Sequence, residues 1–258
     1  MIFKADVAVK PAAVQPIVMA TGHWPAFWKS MKEFFDIYII KNSRNKTEIE
    51  SFNRKFLINY IELAKEYEIP QYSESPSLVL QNSEELLSYC ELNTKINYAV
   101  YWSSTKNNLK SEIFYTLDGY TIFGLSTENE NECNFLFEEM SKFLGCDFGY
   151  ITIESPAPFS LDSFSNEYLS SLKKKEKYQK YIPNDKFDTR SIEGISIDEI
   201  ENDRALCYAL LCWCQDPNWP VAQKIMELLK KASKKISPCV STILTFDDDW
   251  KYGLRSLL

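Results

Sequence analysis

The sequence predicts an α+β protein: an N-terminal antiparallel or mixed sheet with helices on one face, followed by a small all-α, helical-repeat-like segment. Three observations carry this. Aromatic and β-branched runs between Tyr98 and Leu125 flank a turn signal at Asp118-Gly119. Apolar residues from Cys133 to Leu144 recur at helical spacing and stop at Gly145. Beyond Pro183 the apolar runs all keep a helical period, with proline, aspartate and asparagine at the joints. The layout this implies is an α+β domain over 1–160, a linking helix over 161–182 and a helical domain over 183–258.

Residues 2–20 alternate weakly and carry Pro11 and Pro16, which suits edge-type strands. From Pro25 the period turns helical, with Phe27, Met31, Phe34, Phe35 and Tyr38 on one side. A second helix is expected from Thr47, with Glu50 three residues on in a capping-box pattern. Ile49, Phe52, Phe56, Tyr60 and Leu63 would line its inner face until Pro70 ends it. Ser83 to Leu92 reads as a short helix. Strands follow at Tyr98–Trp102, Ile113–Leu117 and Tyr120–Leu125, the last two joined by a tight hairpin in which Asp118-Gly119 takes positive φ. The Cys133–Leu144 helix and a strand over Phe148–Ile153 complete the sheet domain.

The segment from Glu154 to Pro183 holds Pro156, Pro158 and the basic run Lys173-Lys174-Lys175-Glu176-Lys177, the solvated face of a linking helix. Four apolar helix faces come next. They are Leu206, Ala209, Leu210 and Trp213; Val221, Ile225, Leu228, Leu229 and Ala232; Ile236, Val240, Ile243 and Leu244; and Trp250, Leu254, Leu257 and Leu258. Pro217 stops one helix and Pro220 starts another, with Trp219 pushed out of the helical region by the proline after it. Asp216 and Asn218 are placed to accept from the free N–H groups of the new helix, and Asp248 ahead of Trp250.

The chain has 258 residues, 45% of them hydrophobic, which is ample for a large core. Net charge is −7 and is unevenly spread: residues 1–150 hold 14 basic against 20 acidic side chains, residues 151–258 hold 15 against 16. The acidity therefore belongs to the sheet domain, where it repels phosphate backbones and attracts basic partners. Seven cysteines without a regular spacing, no apolar leader and no run near the roughly 18 residues needed to span a bilayer point to a cytoplasmic protein with reduced thiols.

Chemistry is sparse. A single histidine, His23, excludes a two-histidine zinc site and reads as a helix-entry residue. Cys207, Cys212 and Cys214 read as buried small hydrophobes, because Cys-x-Cys on a helix points its thiols apart. Asp247-Asp248-Asp249 lacks the spacing and glycine of a calcium loop and reads as a capped helix start. Only 7 glycines occur, none spaced for a phosphate loop. No catalytic, cofactor-binding or metal site is expected.

Two resemblances add to this. Ile182-Pro183-Asn184-Asp185-Lys186-Phe187-Asp188, then Asp216 to Ala222, then Asp248-Asp249-Trp250-Lys251-Tyr252 resemble a small bacterial helical domain of unknown function, similar in style to HEAT repeats. Members of that family continue with further helices, so the resemblance implies a shortened copy here. Tyr115 to Ser126, with Gly149 to Pro156, resemble proteins encoded beside bacterial polymorphic and contact-dependent toxins. That resemblance implies an immunity protein, which blocks one toxin by binding it.

The candidate contact residues are Glu128, Glu130, Glu132, Glu138 and Glu139, which lead into and ride on the Cys133–Leu144 helix. Negative charge is favourable at a helix N-terminus, and it would also draw in a basic toxin domain. The expected function is neutralisation of a cognate toxin, with no nucleic-acid or membrane partner. The alternative is a non-catalytic adaptor that binds an endogenous protein through the helical C-terminal domain.

Overall fold

A computed structural model describes residues 33–232, 234–246 and 254. Contacts divide the chain into residues 1–32 and 33–258, and every described residue belongs to the second unit. The strands expected within 2–20, the start of the helix expected from Pro25, His23 and the Asp247–Tyr252 joint lie outside the described residues.

Strand β1 (Phe35–Lys41) corrects the first helix. Phe35 and Tyr38 have helical spacing, but Ile37, Tyr38, Ile39 and Ile40 are β-branched or aromatic and all buried. A strand covered on both faces shows no alternation, so its period misleads. It runs antiparallel between two other strands, with Ile39 opposite Phe123 on one side and Gly149 on the other.

Helix α1 (Lys46–Phe56) starts at Asn45, whose side chain accepts from the Glu48 N–H at 2.8 Å, so the cap is Asn45 rather than Thr47. It also ends earlier than Pro70. Asn59 takes φ 50°, and β2 (Tyr60–Glu62) pairs with Ser104 to Trp102. A two-stranded sheet, β3 (Tyr67–Ile69) with β4 (Leu78–Leu80), fills the stretch before α2 (Ser83–Leu92). Strands β5 (Tyr98–Ser104), β6 (Lys110–Tyr115) and β7 (Thr121–Thr127) follow as predicted, each with ends shifted by a few residues. At the β6–β7 turn only Gly119 takes positive φ, 98°, and its N–H donates to the Thr116 carbonyl at 3.1 Å. Helix α3 (Cys133–Leu144) closes on Gly145 at φ 64°, and β8 (Gly149–Ile153) returns along β1.

The result is an antiparallel six-stranded sheet in the order β2-β5-β6-β7-β1-β8. Helices α1 and α3 cover one face, where Phe52 meets Phe123 at 5.3 Å and Phe143 at 6.0 Å. The other face is closed near β8 by the C-terminal helices. These are α4 (Leu161–Lys173), α5 (Glu176–Gln179), α6 (Arg190–Glu193), α7 (Ile197–Asn202), α8 (Arg204–Cys212), α9 (Pro220–Leu229) and α10 (Ser237–Leu244). Phe148, fully buried, is the hub. Its ring lies 5.5 Å from Phe164 and 5.0 Å from Tyr168 on α4, 5.3 Å from Tyr208 on α8 and 5.8 Å from Phe246. Asp147 beside it accepts from Tyr208 Oη at 2.6 Å and from two guanidinium nitrogens of Arg204, which raises the Arg204 pKa. The change in composition over 154–183 thus falls where the chain leaves the sheet and begins to cover its second face.

Helix α8 is buried on every side from Leu206 to Cys212. Helix α9 begins at Pro220 with Trp219 extended before it, as the sequence indicates. Its cap is different: Asp216 Oδ1 accepts from Asn218 N and Nδ2 instead, closing the turn. The first free N–H of the helix, on Val221, donates to the Lys186 carbonyl at 3.1 Å. The 182–188 and 216–222 stretches are therefore in contact.

Candidate interaction surface

The acidic residues stand at the end of β7 opposite the hairpin. Glu130–Glu132 form one 3-10 turn, and the Asn129 side chain accepts from the Asn131 N–H at 3.2 Å while donating to Glu132 at 2.8 Å. Glu130, Glu132 and Glu138 are exposed and Glu128 is half-buried. Phe135, 64% exposed, sits between Glu132 and Glu138, three residues from each on the outer side of α3. Glu132 and Glu138 thus lie one turn to either side of an exposed aromatic ring, with Glu128 and Glu130 just ahead of them in the chain. The fifth predicted glutamate is turned aside: Glu139 bridges Lys142 at 3.0 Å and Lys55 at 3.4 Å, and hydrogen bonds from both hold its carboxyl below the usual range. Sequence reasoning passed over Phe135. The available signal was that it is the large apolar residue lying off the Leu136–Met140 core stripe.

A cleft of about 820 Å³ opens at the other end of β7. Tyr72, Leu92, Leu117 and Phe159 form its walls, each more than half exposed. Arg44 holds two of the lining residues, Asn93 and Ile96, in place. Its guanidinium donates to the carbonyls of Asn93 at 2.9 Å and Ile96 at 3.1 Å and to that of Thr116, and lies 5.1 Å over the Tyr115 ring. Burial lowers the Arg44 pKa. One side chain so joins the end of α2 to the β6–β7 turn.

All seven cysteines are free and buried. Burial pushes Cys90 and Cys212 up to about 12, far from a reactive thiolate. The Cys239 thiol on α10 raises the pKa of Cys207 on α8 while its own is lowered, a partner that the sequence neighbours of Cys207 did not suggest. Among the described residues no three histidine, cysteine, aspartate or glutamate side chains converge as a metal site, and no helix is long and apolar enough to cross a membrane. Of the basic run, Lys174, Lys175 and Lys177 are exposed, and Lys177 pairs with Asp203 at 2.6 Å.

Fold and surface together define an α+β protein whose sheet is backed by a helical C-terminal segment. That segment, residues 181–258, matches the family described as a domain of unknown function (DUF5071), beginning two residues before the Pro183 boundary read from the sequence. No curated protein and no solved structure matches the chain.

Proposed function

We propose that the protein is a non-catalytic immunity protein that binds and neutralises a cognate bacterial toxin in the cytoplasm. The observation that carries the reading is the exposed Phe135, one helical turn from exposed Glu132 and exposed Glu138. An aromatic ring inside a charged rim is the arrangement of an interface hot spot, and the rim charge selects a basic partner. The acidic rim disfavours nucleic acid and anionic membrane alike. Co-expression with the product of the adjacent gene tests this: rescue from toxicity and a one-to-one complex are expected, and neither would appear if the reading is wrong. Phe135→Ala should weaken that complex by about thirtyfold or more, the hot-spot range. Its thermal stability should be unchanged, because the ring is 64% exposed.

A second reading, an adaptor acting through a HEAT-like helical stack, is favoured by a cleft of about 500 Å³ in the C-terminal part. Tyr178, Tyr181, Lys177, Lys180, Glu199 and Asp203 line it. An endogenous partner retained by the helical segment in the absence of any toxin would support this reading instead.

A further inference from the structure

Asp36 on β1, Glu112 on β6 and Ser126 on β7 share the sheet face that carries Tyr38. Asp36 stands opposite Ser126, and Glu112 opposite Gly124 next along β7. Ser126 Oγ lies 2.6 Å from Asp36 Oδ1 and 2.8 Å from Glu112 Oε1. Tyr38 Oη lies 3.0 Å from the Ser155 carbonyl and 3.2 Å from Glu112 Oε2. The Ser155 N–H donates to Asp36 Oδ2 at 3.2 Å.

Counting hydrogens decides what this cluster is. A serine hydroxyl has one proton to give, and an ionised carboxylate has none. Both short Ser126 contacts are hydrogen bonds only when one of the two carboxyls is protonated and donates to Ser126 Oγ, which then donates to the other. Asp36 receives the Ser126 hydroxyl and a backbone N–H, so its charge is the better satisfied. Glu112 has beside Ser126 only the Tyr38 hydroxyl, which is nearer the Ser155 carbonyl. We propose that Asp36 and Glu112 hold one proton between them, resident on Glu112 and relayed through Ser126, and that it latches the strap after β8 to the sheet.

The strap is the 154–160 segment. Ser155 is gripped from both sides, its N–H by Asp36 and its carbonyl by Tyr38. Ala157 is buried, the Phe159 carbonyl accepts from the Leu117 N–H at 3.4 Å, and the Leu161 N–H donates to Asp118 Oδ2 at 2.7 Å. Losing the proton places two negative charges about one hydroxyl and draws the Tyr38 hydroxyl from the Ser155 carbonyl to ionised Glu112, which loosens the strap at Ser155, two residues before buried Ala157.

The surrounding charges bear on the pair from every side. Lys110 on β6, its ammonium 4.0 Å over the Phe34 ring, attracts both carboxylates. Glu154, past the end of β8 at φ 44°, repels Asp36. Tyr38 on β1, Tyr101 on β5 and Tyr150 on β8 also face the pair, and their own pKa values are raised, so they stay neutral. Burial raises both carboxyl pKa values, against the Ser126 hydrogen bond that lowers them.

The sign follows from linkage. A carboxyl raised in the folded state contributes stability that is fully present below its unfolded pKa, about 4.3 for glutamate, and lost as pH rises through the folded value. Urea unfolding of wild type and Glu112→Gln between about pH 5 and 9 measures it. The folding equilibrium constant of the wild type should fall with rising pH by up to about tenfold per unit within the titration, and Glu112→Gln, which fixes the neutral form, should remove that component. An unchanged slope in Glu112→Gln overturns the proposal. Infrared spectra of the wild type give a second reading that needs no variant to be stable. A protonated-carboxyl stretch near neutral pH is expected in the wild type and lost in Glu112→Gln. Its absence from the wild type, or its persistence in Glu112→Gln, contradicts the assignment.

Discussion

Replacing Phe148 with alanine is expected to destabilise the protein by about 3–5 kcal/mol, the range for emptying a buried aromatic site. The ring is fully buried and touches α4, α8 and the residue Phe246 beyond α10, so no single neighbour can collapse into the space. The variant should also change how the protein unfolds. Phe148 joins the sheet to the helices, and the Asp147–Arg204 pair beside it is its main electrostatic companion. Hydrogen exchange of α8, in the helical part, and of β1, in the sheet, should report one transition in the wild type. In Phe148→Ala the two signals should separate, with the helical part melting first. A loss of under about 1 kcal/mol, the level of an ordinary surface change, would mean that the rings around Phe148 do not bear on it as described.

Arg44→Met is expected to cost about 2–4 kcal/mol, because it keeps the stem but strands buried carbonyls that the guanidinium now satisfies. The acceptors are Asn93, Ile96 and Thr116, and Thr116 is fully buried. Hydrogen exchange should localise the damage to 93–96 and the 116–120 turn, leaving α3 protected. Arg44→Lys should recover little, since one ammonium cannot reach three carbonyls fanned across a planar fork. Uniform loss of protection over the whole sheet would show instead that Arg44 acts through general packing.

Much of the fold could be read from the residues. Gly145 and Gly119 mark a helix end and a hairpin by their conformational freedom, and both take positive φ. Pro220 after Trp219 marks a helix start for the opposite local reason, its fixed φ and missing N–H. What misled were segments whose state is set by distant partners. Ile37 to Ile40 are buried on both sides and so show no strand period. Tyr60 and Leu63 extend the α1 period by chance, while Tyr60 is claimed by Ser104. Short strands such as Leu78–Leu80 carry too few residues for any period. The acidic group was legible as composition, whereas Phe135 showed only as a large apolar residue off the core stripe of its helix. The Asp36–Ser126–Glu112 cluster was invisible for a deeper reason: its members come from three strands and meet only through register.

The most direct measurement is the rate of association with the product of the adjacent gene, taken across a salt series for wild type and the triple variant Glu130→Lys, Glu132→Lys, Glu138→Lys. The wild-type rate should be fast and fall steeply with salt, as steering by opposite charge requires. The variant should associate at least about tenfold more slowly at low salt, with a flat or reversed salt dependence. Equal rates for the two proteins, unaffected by salt, would contradict the proposal that this acidic surface binds a toxin.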